Sequence, residues 1–188
     1  MNQPASYSDR EIIQQSRHWL KRVILRHDFC PFARYEFENN RIHFEVCNST
    51  DMQYCLESVI TECKRLDENK NIATTLIIFS KKFADFESFL ELVDMANALL
   101  RMQDYEGIYQ LAHFHPDYMF AGEDSGDAAN FTNRSPWPML HLLREVDIEQ
   151  AIAHYEDVNR IPARNIERAR QLGREYFATI LAKIRTEK

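Results

Sequence analysis

ATTLIIFS, residues 73–80, decides the fold. β-Branched and apolar residues fill it without the in-and-out alternation of a half-exposed strand, as expected of a strand covered on both faces. It is therefore placed at the centre of a sheet. Upstream, Asp51 opens a helix whose Met52, Cys55, Leu56, Val59, Ile60 and Cys63 form one apolar stripe. Before that, RYEFENNRIHFEVC (residues 34–47) alternates Tyr35 and Phe37 with Glu36 and Glu38, then Ile42, Phe44 and Val46 with His43 and Glu45. Asn39-Asn40 between the arms tolerates positive φ, which reads as a hairpin.

The chain starts with Ser8 and Glu11 in capping-box spacing, followed by Ile12, Ile13, Trp19, Leu20, Val23 and Ile24 at helical intervals. This predicts a helix over about 9–27, stopped before Phe29-Cys30-Pro31 because a residue preceding proline is pushed out of the α region. Downstream, Asp85 to Met102 repeats the helical period, and IYQLAHFHP (108–116) is a further strand closed by Pro116. Hairpin, helix, strand, helix, strand implies β-α-β crossovers with parallel neighbours. Two more helices are expected, Leu140 to about Glu156 and Pro162 to Thr186, the second with proline in its first turn and Ile166, Ala169, Tyr176, Ile180 and Ile184 inward. The expected class is α+β: one domain spanning 1–188, with a mixed four-stranded sheet built from a hairpin plus β-α-β units, helices packed on it and two helices at the C-terminal end.

The bulk properties suit a globular chain that needs no staples: 45% apolar, 28% charged, four glycines and six prolines in 188 residues. A net charge of −6 repels the phosphate backbone, so a nucleic-acid partner is not expected. No apolar run is long enough to cross a membrane, and MNQPASYSDRE has no signal-peptide core. Cys30, Cys47, Cys55 and Cys63 show no C-x-x-C pair, so free thiols and a cytoplasmic location are expected.

Three segments could carry chemistry. His113 and His115 share a strand face and lie at a strand's carboxyl end, where open sheets with parallel connections gather ligands. Two imidazoles could start a metal site with His141, Asp127 or Cys30 as a further ligand, but H-x-H alone is unspecific, and histidines bonded to carbonyls or carboxylates are the expected arrangement; no metal is assigned. Phe29-Cys30-Pro31-Phe32 could hold a thiolate on free backbone N–H groups, or simply bury a small apolar residue. FTNRSPWPMLH (131–141) sets the planar fork of Arg134 among the donors of Asn133 and Ser135, with Arg144 ten residues on as a second cation. With Leu140 starting a helix, its N-terminus would favour an anion, and His141 in its first turn would be held neutral by the dipole. Arg134 could equally pin the loop on Glu123, Asp124 or Asp127. Gly122-Glu-Asp-Ser-Gly-Asp lacks the register of a calcium loop, and His18, His27, His43 and His154 need only structural explanations. No phosphate loop, H-E-x-x-H or G-x-S-x-G names a cofactor.

Cys30-Pro31-Phe32, Phe114-His115-Pro116-Asp117-Tyr118 with Phe120, Asn130, Asn133-Arg134-Ser135-Pro136 with Pro138, and His141-Leu142-Leu143-Arg144 together resemble the bacterial and plant proteins grouped as domain of unknown function 1415. The resemblance runs from about residue 10 to 180. It brings no established activity; it implies a single-domain protein whose hallmarks are the His115 and Arg134 loops. Trp137, where a tyrosine is expected, departs from that pattern and bears on any phenolic role there. The preferred expectation is an enzyme acting on a small anionic molecule, with Arg134, Arg144, Asn133 and Ser135 binding substrate, His115 and His141 as acid–base groups and Cys30 as a nucleophile or redox thiol. The competing expectation is a non-catalytic ligand- or protein-binding module anchored on Trp137 and Tyr118.

Overall fold

The computed structural model describes residues 7–153 and 157–187. Ser8 caps α1 (Asp9–Trp19) through a capping box, its hydroxyl accepting from Glu11 N–H while the Glu11 carboxylate reaches back to Ser8 N–H at 2.8 Å. The helix runs on as a π-helical segment, Leu20–Leu25, and buries Trp19, Leu20, Val23, Ile24 and Leu25. Asp51 caps α3 (Met52–Glu68) and Asp85 caps α4 (Phe86–Met102), each carboxylate accepting a first-turn N–H at 2.8 Å. Among the described residues no helix is long and apolar enough to cross a membrane.

The sheet contains β1 (Ile42–Cys47), β2 (Thr74–Phe79), β3 (Tyr109–Phe114) and β4 (Met139–Arg144) in the order β1-β2-β4-β3. β2 is buried at all six positions, as its composition requires. It pairs in parallel with β1 and antiparallel with β4, and β4 pairs antiparallel with β3. β1, β2 and β3 therefore point the same way. The crossover through α3 joins neighbours, whereas the one through α4 skips a place that β4 fills. Alternation sends Leu76 and Ile78 into one apolar cluster with α1 and the helix Arg174–Thr186, and Ile77 and Phe79 into another with α3 and α4. The sheet is thus the middle of three layers.

The mixed four-stranded sheet and α+β class agree with the sequence reading, but one strand is not the expected one. Residues 34–40 form no hairpin arm: Ala33–Glu38 is a helix, α2, with Arg34 and Glu38 in an i,i+4 pair and Phe37 under the Arg17 guanidinium. Four alternating residues are too few to separate a period of 2 from 3.6. The missing strand is β4, in the segment expected to begin a helix. Its two neighbours decide this, because β4 satisfies ladder groups of β2 on one side and β3 on the other. The helix after it, α5 (Glu145–Ala153), starts only at Glu145; the expected extension through His154 to Glu156 lies outside the described residues. The last expected helix is two, α6 (Ile161–Leu172) and α7 (Arg174–Thr186), broken at Gly173 with φ 84° and ψ 158°, a conformation essentially reserved for glycine.

Candidate functional site

The loop after β3 is held by its own polar groups. His115 is fully buried; its Nδ1 accepts from Asp117 N–H at 3.0 Å and its Nε2 donates to the Phe83 carbonyl at 2.8 Å. The N–H donated to Nδ1 suits a neutral ring, and burial lowers the His115 pKa against the raising effect of the Phe83 carbonyl. As folded, neither nitrogen is free to move a substrate proton. The bond to Phe83 also holds a non-glycine residue at φ 65°. Asn133 gives its carbonyl to His115 N–H and its side-chain oxygen to the Thr132 hydroxyl, and the buried Ser135 hydroxyl donates to the Trp137 carbonyl at 2.5 Å. Asn130, fully buried, accepts from Phe120 N–H and donates to the Asp124 carbonyl.

Arg134 pairs with none of Glu123, Asp124 and Asp127. Its Nε donates to the Tyr118 carbonyl at 3.0 Å, its Nη2 to the Ser125 carbonyl at 2.9 Å, and its plane lies over Phe131 at 4.8 Å. It braces the loop with the edge that would otherwise grip a carboxylate. Asp127 and Glu123 instead bind Arg170 of α6, which holds the Asp127 carboxyl down at about 2. Arg144 is at the other end of β4, beside Tyr109 at the start of β3, and donates to the Leu66, Asn69 and Ile72 carbonyls that close α3. The two arginines do not converge on one anion.

His141 is separated from His115 as well. It sits inside β4, opposite Leu76 and Ala112, and faces the α1 side against Phe114. His113 and His115 face the α4 side, against Phe89. The two histidines expected as acid–base groups are therefore divided by the sheet, and burial, not a helix dipole, takes the His141 pKa down to about 4. Cys30 receives backbone N–H groups from Phe32 and Ala33, but desolvation outweighs them and raises its pKa, disfavouring the thiolate.

A different set of side chains does converge. Between β1 and α3 lies an open cavity of about 530 Å3 whose walls include Glu45, Cys47, Tyr54, Glu57, Glu62 and Arg65. His43 and Glu45, two apart on the edge strand, leave it on the α3 side, where Glu62 and Arg65 descend from the helix. Nε2 of His43 lies 3.4 Å from Glu45 Oε2 and 3.7 Å from Glu62 Oε2. Glu62 is 1% exposed, an expensive place for a carboxylate, and Arg65 Nε offsets that cost by donating to both its oxygens, at 2.9 and 3.0 Å. Arg65 Nη2 also approaches Glu45 at 3.7 Å. Among the described residues this is the one place where three histidine, cysteine or carboxylate ligand atoms come together, all within 4.8 Å. From sequence, His43 is a hairpin residue that needs only a structural explanation. Its signal was H-x-E on a strand and E-x-x-R on a helix, which carries meaning only once α3 is known to pack along β1.

A family of proteins described as being of unknown function, DUF1415, matches residues 11–179. No curated protein and no solved structure matches the chain. The match takes in every strand of the sheet and both the 115–138 loop and the cavity beside β1, and the chain belongs to the DUF1415 family.

Proposed function

We propose that the protein is an enzyme acting on a small molecule, and that its working site is the cavity between β1 and α3. The observation that carries this reading is the buried Glu62 carboxylate, which lines an open cavity with Glu45 and has His43 beside it. Convergent ionisable groups in a concave site, one of them buried, are the usual mark of acid–base or metal-assisted chemistry. Strand and helix, not loop, hold them in place. An anionic substrate remains part of the proposal, with a condition: Glu45, Glu57 and Glu62 outnumber Arg65, so an anion enters with a positive centre to meet it. We place the activity in the cytoplasm, in keeping with four free thiols, and without a nucleic-acid partner, in keeping with the net charge of −6.

The test is a thermal-shift screen of phosphorylated and carboxylated metabolites on the wild type, His43→Gln and Arg134→Lys. A compound that stabilises the wild type and Arg134→Lys but not His43→Gln supports the cavity. The reverse pattern moves the site to the loop, and no stabilising compound at all removes the enzyme reading. A second reading, the non-catalytic binding module, has its own observation in an apolar groove between α3 and α4 lined by Met52, Leu56, Ile60, Met95 and Leu99. Under that reading ligand-induced NMR shifts fall on the groove and leave Glu45 and Tyr54 unmoved.

A further inference from the structure

We propose that His43 Nε2 and one carboxylate oxygen each from Glu45 and Glu62 form a binding site for a divalent transition-metal ion, with its remaining coordination positions open to the cavity. The proposal deepens the reading of that cavity as the working site and rests on it. It supplies the positive centre that an anionic substrate requires there.

The two distances at His43 Nε2 are long for hydrogen bonds and close to those between ligands of one ion. A neutral imidazole has one Nε2 proton at most, yet two anionic oxygens approach that nitrogen, at 3.4 and 3.7 Å. Around an ion with bonds of about 2.0–2.2 Å, the edges of a tetrahedron measure roughly 3.3–3.6 Å. The two edges at His43 are thus near that length, and with all three ligand atoms within 4.8 Å of one another, side-chain movements close the set. Two carboxylates balance a 2+ charge, and one nitrogen with two oxygens and no sulfur suits zinc or manganese better than copper(I). Three protein ligands are the complement of sites that keep a position for water or substrate. Arg65 then becomes the outer partner: when Glu62 Oε2 turns to the ion, Oε1 stays on Arg65 Nε, now at 2.9 Å, and the carboxylate plane is fixed.

Thr75 gives an independent reason. It lies on β2 in register with His43, and its side chain leaves the sheet on the same face. It is fully buried, and its hydroxyl has no hydrogen-bond partner among the described residues. Buried hydroxyls seldom go unpaired. An ion beside His43 brings with it bound water or a reoriented carboxylate oxygen, either of which accepts from Thr75 Oγ1.

The experiment is calorimetric titration of chelator-treated wild type with ZnCl2 and with MnCl2, repeated on His43→Gln and Glu45→Gln. Both positions are part-exposed and spare the Glu62–Arg65 pair, and circular dichroism checks their folds. One equivalent of ion should bind the wild type, and each variant should bind at least tenfold more weakly. At a hundredfold excess of ion over its dissociation constant the wild-type Tm should rise by roughly 5–10 °C. Thr75→Val should weaken ion binding while raising the Tm of the ion-free protein. Absence of binding, or binding unchanged in both His43→Gln and Glu45→Gln, overturns the site. Metabolites that stabilise ion-free and loaded protein alike overturn the ion's part as the positive centre for substrate, while leaving the cavity reading intact. Ion binding lost in the variants but accompanied by no metabolite effect supports the site and overturns the enzyme reading.

Discussion

Arg134→Lys separates a brace from a binding group, and its cost can be worked from the contacts. The guanidinium joins three parts of one loop, the Tyr118 and Ser125 carbonyls and the Phe131 ring. Lysine keeps the charge but reaches only one carbonyl and has no plane to lay on the ring. A hydrogen bond from a charged donor contributes about 1.5–3 kcal/mol, and the half-buried site argues for the low end. Loss of the ring contact adds about 0.5 kcal/mol. The sum is about 2 kcal/mol, which for a chain of this length is roughly 4–8 °C in Tm. Differential scanning calorimetry of the two proteins, without added anion and again in 10 mM phosphate or citrate, reads both effects. The expected outcome is a lower Tm for Arg134→Lys by the same amount in every buffer. A variant that melts within about 1 °C of wild type, or a gap that opens only when anion is present, refutes the bracing argument.

Burial lowers the pKa of His113, His115 and His141, the last to about 4, so protonation favours the unfolded chain; stability present at neutral pH should fall as pH drops below about 6.5, with the His141 share lost progressively down to about 4. His141→Leu should flatten the Tm-versus-pH curve between those limits, and an unchanged slope would count against this assignment. Iodoacetamide at pH 7 should label Cys30 slowly and Cys55 and Cys63, whose pKa values rise to about 12, slower still, with all thiols reacting once denaturant is added; fast labelling mapped to Cys30 in the native protein would contradict the desolvation of its thiol. Gly173→Ala meets no atom within 4 Å but forces a side chain onto φ 84°, so it should cost about 1–3 kcal/mol by denaturant titration, and a neutral result would mean α6 and α7 can rejoin as one helix.

ATTLIIFS announces its place because a strand covered on both faces leaves a mark in each of its own residues. MLHLLR does not, since its identity as β4 depends on β2 and β3, which reach it from about 60 and 30 residues upstream. The same distinction governs the chemistry. Asn133, Arg134 and Ser135 read as a binding rim because their side chains are rich in donors, and only the folded loop reveals that these donors meet loop carbonyls. His43 and Glu62 read as unrelated, because the helix–strand packing that unites them is tertiary. Local pattern located the loops and most helices; the partners of each polar group required the fold.

β4 lies between β2 and β3 in space but follows both in the chain, and this has a cost during synthesis. Residues 80–138 must leave the ribosome before the uniformly apolar β2 can gain its second neighbour, an interval of roughly 3–12 s at ordinary translation speeds. Until then β2 and β3 each present an open edge able to pair with other chains. A message truncated or stalled just before Met139 should therefore yield an insoluble product that draws chaperones, whereas one ending after Arg144 has the means to close its sheet.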